Sequence, residues 1–170
     1  SYTKMLGQLQ DVGNTVTLAY YLELLDAAGL LAGIEKYSGS KIRQRSSSPK
    51  FQVYNTALIS AQQVDKITQI LSKPEIWGHL VESSAGAHLL NHSRENNYNL
   101  FYWRHGNNEI DFVMEKSGKI IGLEVKSGVT QKASGMNAFK KEFNPHKTFL
   151  IGNSGILWQD FLKMDPNDLF

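Results

Sequence analysis

Glu109-Ile110-Asp111-Phe112-Val113-Met114-Glu115-Lys116-Ser117-Gly118-Lys119-Ile120-Ile121-Gly122-Leu123-Glu124-Val125-Lys126 holds two alternating runs on either side of a Ser-Gly pair. Such a pattern predicts a β-hairpin turning at Ser117-Gly118. An even-numbered loop centred there pairs residues equidistant from the turn. Asp111 is then expected opposite Glu124, Val113 opposite Gly122 and Glu109 opposite Lys126. Side chains alternate along a strand, so Ile110, Phe112 and Met114 are expected to leave by one face with Ile121, Leu123 and Val125. Asp111, Val113 and Glu115 leave by the other. Two carboxylates directly opposed at roughly 5 Å repel each other and weaken the hairpin. A divalent cation between them reverses that sign.

Lys126 projects two residues beyond Glu124 on the same strand face. A lysine beside two metal-binding acids can orient a water or neutralise a phosphoryl oxygen. The same pairing also offers it Glu109 as a cross-strand ion-pair partner, an interaction below about 1 kcal/mol. Gly122 is expected to leave space beside Glu124. Upstream, Glu82 lies in Gly78-His79-Leu80-Val81-Glu82-Ser83-Ser84-Ala85-Gly86, with glycines one helical turn away on both sides. Small neighbours let that face approach a sheet, which would make Glu82 a third acid over Asp111 and Glu124. A solvated helix-surface glutamate is the other reading. Gln131, Lys132 and Lys140 follow the hairpin, and solvated surface explains each of them.

Outward from the hairpin, helices are expected over 2–10 and 15–28, the second stopped at Gly29 and buried along Val16, Leu18, Leu22, Leu25 and Ala28. Strands at 30–37 and 51–54 flank a polar basic loop, 38–50, carrying Lys41, Arg43, Arg45 and Lys50 among serines. Helix, helix, strand, wing and strand describe a winged helix-turn-helix over 1–62, and those four basic residues are its candidate phosphate contacts. An ordinary solvated loop has the same composition. A helix at 62–71 running to Pro74 closes this first lobe. The second, 63–170, then reads as helix 75–91, strand 100–104, the hairpin, helix 132–143, strand 148–151 and a last helix at 156–164. The fold class is α/β (α+β), with a mixed central sheet flanked by helices.

Composition narrows the chemistry. The 170 residues suit one ordinary domain or two small ones, and 41% hydrophobic with 20% charged residues is a globular balance. No apolar run approaches the ~18 residues of a membrane span and no signal peptide is visible, so a cytoplasmic protein is expected. With no cysteine in the chain, disulfides and thiolate zinc sites are excluded, leaving oxygen and imidazole ligands. Those suit Mg²⁺, or Mn²⁺ in its place. The net charge of +2 is too small to argue for nucleic acid by itself. No G-x-x-x-x-G-K-[ST] motif occurs, so ATP hydrolysis is not expected of this segment. The chain begins at Ser1 and reads as a piece of a longer polypeptide.

Taken together, Leu100-Phe101-Tyr102-Trp103-Arg104, Glu109-Ile110-Asp111-Phe112-Val113 and Glu124-Val125-Lys126-Ser127 resemble a known family. It is the carboxy-terminal domain of unknown function attached to bacterial and archaeal AAA-type P-loop ATPases. Gly78-His79-Leu80-Val81-Glu82 and Ser48-Pro49-Lys50-Phe51, followed by Asn55-Thr56-Ala57-Leu58, extend the likeness. That family is similar in its last lobe to PD-(D/E)XK nucleases and carries a winged helix ahead of it. The resemblance implies Asp111 and Glu124 as metal ligands, Lys126 as the catalytic lysine and Glu82 as the helical acid. It also implies an upstream ATPase domain, through which alone ATP would enter. Asn55 and Ala57 stand where the family tends to carry aspartate and glycine.

The expected function is therefore a magnesium-dependent, endonuclease-like phosphodiesterase acting on DNA. A noncatalytic DNA-binding, regulatory or protein-interaction module of the ATPase is the alternative. DNA and the ATPase domain are the expected partners, and oligomerisation is left open.

Overall fold

The computed structural model describes residue 7 and residues 13–39, 47–128 and 134–170. The expected helix at 2–10 and the residues Lys41, Arg43, Arg45, Gln131 and Lys132 lie outside these segments. The described elements are α1 (Thr15–Ala27), β1 (Leu31–Lys36), β2 (Lys50–Val53), the short helices α2 (Ala57–Ser60) and α3 (Ile67–Leu71), and α4 (Pro74–Asn96). They continue with β3 (Asn99–His105), β4 (Asn108–Lys116), β5 (Lys119–Lys126), α5 (Ser134–Phe143), β6 (Lys147–Gly152), α6 (Trp158–Phe161) and a 3-10 turn at Pro166–Leu169. The strands form one six-stranded mixed sheet in the order β2-β1-β3-β4-β5-β6. β1 runs parallel to β3 and β5 runs parallel to β6, while the remaining neighbours are antiparallel.

Helix α1 starts where Asn14 accepts hydrogen bonds from the N–H groups of Val16 and Thr17, both at 2.9 Å. It stops at Gly29, whose φ of +68° lets Leu30 donate back to the carbonyl of Leu25 and Gly29 to that of Asp26. Its buried stripe is narrower than expected. Leu18 is buried, but Val16 is 76% exposed. Residues 62–71 do not form the single helix expected, and α2 and α3 occupy parts of 57–71 instead. Pro74 opens α4 rather than closing the segment before it, because a missing N–H is harmless in a first turn. The expected last helix is reduced to one turn, α6, ahead of the 3-10 turn.

The hairpin that decides the fold turns where expected. Ser117 and Gly118 have φ of +51° and +79°, the two left-handed residues of a type I′ turn. The ladder from Lys116↔Lys119 to Phe112↔Leu123 keeps the expected register, Val113↔Gly122 included. Farther from the turn, β4 departs from regularity. On its other side Phe101 pairs with Val113 and Trp103 with Ile110, so Asp111 and Phe112 together stand opposite Tyr102. That extra residue is a β-bulge, and it rotates the strand.

The bulge redistributes the core. Ile110 packs with Val113, Trp103 and Phe139, on the side covered by α5. Phe112 and Met114 pack with Ile121, Leu123, Val125, Val81, Ala85 and Leu89, on the side covered by α4. Ile110 thus changes sides relative to the strict alternation expected of it. The strands read as a wing, β1 and β2, form one edge of the same sheet, so hydrogen bonding continues past residue 62 through Glu35↔Phe101 and Lys36↔Tyr102. Helix α4 packs against β2 at Gly86, where a Cβ would fall 2.1 Å from the Gln52 side chain and 2.6 Å from the Phe112 ring.

Candidate metal centre

The bulge positions Asp111. Beyond Phe112↔Leu123 the backbone ladder gives way, and the N–H of Val125 donates to Asp111 Oδ2 at 2.7 Å. The Asp111 side chain therefore lies at the end of the β4–β5 ladder and is only 7% exposed. Burial, then the neighbouring Glu82, push its pKa up to about 6. Lys50, the Val125 N–H and Lys126 oppose that rise without cancelling it.

Alternation along β5 places Glu124 and Lys126 on the face away from Leu123 and Val125, and so away from α4. Glu124 is 5% exposed. Its Oε1 pairs with Lys126 Nζ at 3.3 Å, while its buried Oε2 has no hydrogen-bond partner among the described residues. Burial works to lower the Lys126 pKa, but Asp111 and Glu124 outweigh it and raise it, so this ammonium borders both acids. Glu109, the other partner considered for Lys126, pairs with Arg104 at 3.9 Å and adds a weaker pull on the Lys126 ammonium. Gly122 leaves no space beside Glu124. A Cβ there would meet the Phe139 ring at 2.9 Å, so the glycine admits α5 rather than a ligand.

Glu82 does not join Glu124. It stands on α4, across the sheet from Glu124 and Lys126, and its Oε1 takes the Lys50 ammonium at 2.5 Å. Among the described residues no three His, Asp or Glu side chains converge as a metal-holding group. The three acids expected on one face are instead distributed along a line. Glu82 is paired with Lys50, Asp111 lies at the bulge, and Glu124 is paired with Lys126.

Lys50, which the sequence pattern assigns to the phosphate contacts of a solvated loop, belongs to this line instead. It donates to the carbonyl of Asp111 at 3.3 Å and lies 4.6 Å from the centroid of the Phe112 ring. Gln52 is buried beside it and donates to the carbonyl of Ser83 at 2.8 Å. Two polar residues at alternate positions of Lys50-Phe51-Gln52-Val53 are the available signal. They mark a strand face turned toward polar partners on a helix. A cavity of about 550 Å³ opens onto Lys50, Glu82 and Asp111, and His79, Tyr102 and Arg104 also line it. Lys140 is exposed and takes no part in the site.

What a divalent cation requires is partly met. Asp111 and Glu124 are buried oxygen donors near one ammonium, and a buried carboxylate oxygen without a partner among the described residues calls for a cation, a proton or a water. Glu82 is already satisfied by Lys50.

Residues 77–156 match a family described as a domain of unknown function, DUF4143. The matched stretch holds Glu82, Asp111, Glu124 and Lys126, while Lys50 and the β1–β2 hairpin lie outside it. No curated protein and no solved structure matches the chain. Among the described residues no helix is long and apolar enough to cross a membrane.

Proposed function

We propose that this chain is a divalent-metal-dependent phosphodiesterase acting on DNA, with its centre at Asp111, Glu124 and Lys126. One observation supports the reading: Glu124 keeps a buried carboxylate oxygen with no hydrogen-bond partner among the described residues, two residues from a lysine that also feels the charge of a second buried acid, Asp111. A protein with no use for a cation is better served by an apolar or amide side chain at that position.

Asp111 and Glu124 would hold Mg²⁺ or Mn²⁺, which when bound supplies Lewis-acid activation of a water and charge neutralisation at the scissile phosphate. The chain's own residues supply the rest. Lys126 presents an ammonium beside both acids, where it can orient a water or face a phosphoryl oxygen. Lys50 and Arg104 line the cavity that reaches Asp111 together with Glu82, Glu109 and Asp111, so its walls would attract a phosphodiester backbone only once a divalent cation is bound. Within a longer protein, the unit would act beside a P-loop ATPase domain, in keeping with the resemblance of its motifs.

A second reading, a noncatalytic DNA-binding or regulatory module on the same scaffold, is favoured by the engagement of Glu82 with Lys50 in place of a metal. Incubating the purified chain with supercoiled, linear and branched DNA and Mg²⁺ or Mn²⁺ separates the two. Cleavage by the wild type, lost in Asp111→Ala and Lys126→Ala, supports the phosphodiesterase. DNA binding without cleavage supports the module, and equal cleavage by all three proteins reveals a contaminating nuclease.

A further inference from the structure

The arrangement of Lys50 addresses how many cations such a site accepts. Its ammonium contacts one carboxylate oxygen of Glu82 and one backbone oxygen, that of Asp111, and it lies over the Phe112 ring. Two oxygens and a π face are what a bound cation would collect there. The elements that deliver it are independent of the hairpin. Lys50 comes from β2, Glu82 from α4, and Gln52 ties the two together by donating to the carbonyl of Ser83. Tyr102 adds a bond from β3, its hydroxyl donating at 2.7 Å to the carbonyl of Ser48, two residues before Lys50.

We infer that Lys50 is a built-in cation of this site, holding Glu82 as its own counter-ion and leaving one place for a divalent metal, between Asp111 and Glu124. This rests on the reading of Asp111 and Glu124 as a metal centre. Charge supports the same stoichiometry. With every group ionised, Glu82, Asp111 and Glu124 face Lys50 and Lys126, an excess of one negative charge. One divalent cation converts that to one positive charge, which a single phosphodiester neutralises. Two divalent cations would leave three positive charges around the buried carboxylates of Asp111 and Glu124, an arrangement that desolvation opposes. In this scheme Lys50 is a positioning residue. It fixes Glu82 and neutralises it without taking part at the metal.

Mn²⁺ binding, followed by titration calorimetry and by electron paramagnetic resonance of the free ion, tests this on the purified chain. The wild type is expected to bind one Mn²⁺. Glu82→Gln, which keeps an acceptor for Lys50 but removes one negative charge near the site, should weaken Mn²⁺ binding by only a few-fold, whereas Glu124→Gln should weaken it by more than tenfold. Lys50→Gln releases Glu82 and should admit a second Mn²⁺ or tighten the first by about tenfold. Circular dichroism melts establish that each variant is folded, and Glu82→Gln decides the matter if Lys50→Gln is not. Wild-type binding lost equally in Glu82→Gln and Glu124→Gln, or a wild-type stoichiometry of two, overturns the role of Lys50 while leaving the metal centre standing. No Mn²⁺ binding by the wild type overturns both.

Discussion

Asp111 carries its charge at neutral pH against the preference of its surroundings. Its carboxyl titrates at about 6 in the folded chain against an ordinary value of 3.8, because burial and Glu82 outweigh the favourable groups around it. An acid with a raised folded pKa binds more protons folded than unfolded across that window. Stability therefore falls as pH rises from about 4 to about 6, and stays reduced above it. Asp111→Asn removes the charge and retains an acceptor for the Val125 N–H. In metal-free buffer it should be more stable than wild type by roughly 2 to 3 kcal/mol at pH 7.5, with the difference vanishing near pH 4. Urea melts at both pH values measure this, and an advantage persisting at the lower pH would rule the explanation out. Lys126 has the opposite role. Lys126→Met leaves Glu124 buried without its counter-ion, and should destabilise the fold by about 1 to 2 kcal/mol at neutral pH, between the values for exposed and buried pairs. A melt unchanged from wild type would mean that Glu124 has another partner in solution.

Among the elements, α4 depends on a glycine for its seat on the sheet. A methyl group at position 86 would overlap the Gln52 amide and the Phe112 ring. Gly86→Ala should therefore destabilise by about 1 to 3 kcal/mol despite the helix propensity gained. At Gly78, among the described residues, a Cβ would meet the Ser127 hydroxyl alone, at 3.2 Å. Gly78→Ala should be neutral or stabilising by up to about 1 kcal/mol, and equal effects at the two positions in thermal melts would refute this packing account. Both glycines are legible from their spacing around Glu82, as is the β4–β5 register from Ser117-Gly118. The bulge is not. Nothing local in Ile110-Asp111-Phe112 announces an extra residue, since it arises from pairing with β3, a strand set by long-range packing. For that reason the sequence singles out Asp111, Glu124 and Lys126 as candidates but not their arrangement relative to the two faces of the sheet.

For the whole molecule, the β1–β2 hairpin meets the rest of the sheet, among the described residues, at Glu35↔Phe101 and Lys36↔Tyr102, with the N–H of Tyr37 donating to the carbonyl of Tyr102. Its remaining ties include the side chains of Lys50 and Gln52 on α4. Gln52→Ala should loosen this edge before the centre. Amide exchange of Leu31–Lys36 is expected to quicken about tenfold or more while Lys119–Lys126 keeps its protection, and uniform acceleration throughout the sheet would argue against separate opening. The sequence pattern of helix, strand, basic loop and strand suggests a wing. It cannot reveal that the hairpin continues a sheet whose other strands come much later in the chain, because strand partners are chosen by packing across the chain rather than by neighbouring residues.

Strand β5 is paired with β4 as far as Leu123 and with parallel β6 through Glu124↔Leu150 and Lys126↔Gly152, while the N–H of Val125 between them is taken by Asp111. Its backbone has nowhere to go when a ligand arrives. Glu124 and Lys126 are thus ordered before any encounter, and binding to them loses little conformational freedom. The same rigidity bears on the proposed metal centre: a cation held by Asp111 and Glu124 could not draw β5 toward itself, so selectivity among ions would depend on the sheet's hydrogen bonding as much as on the two carboxylates.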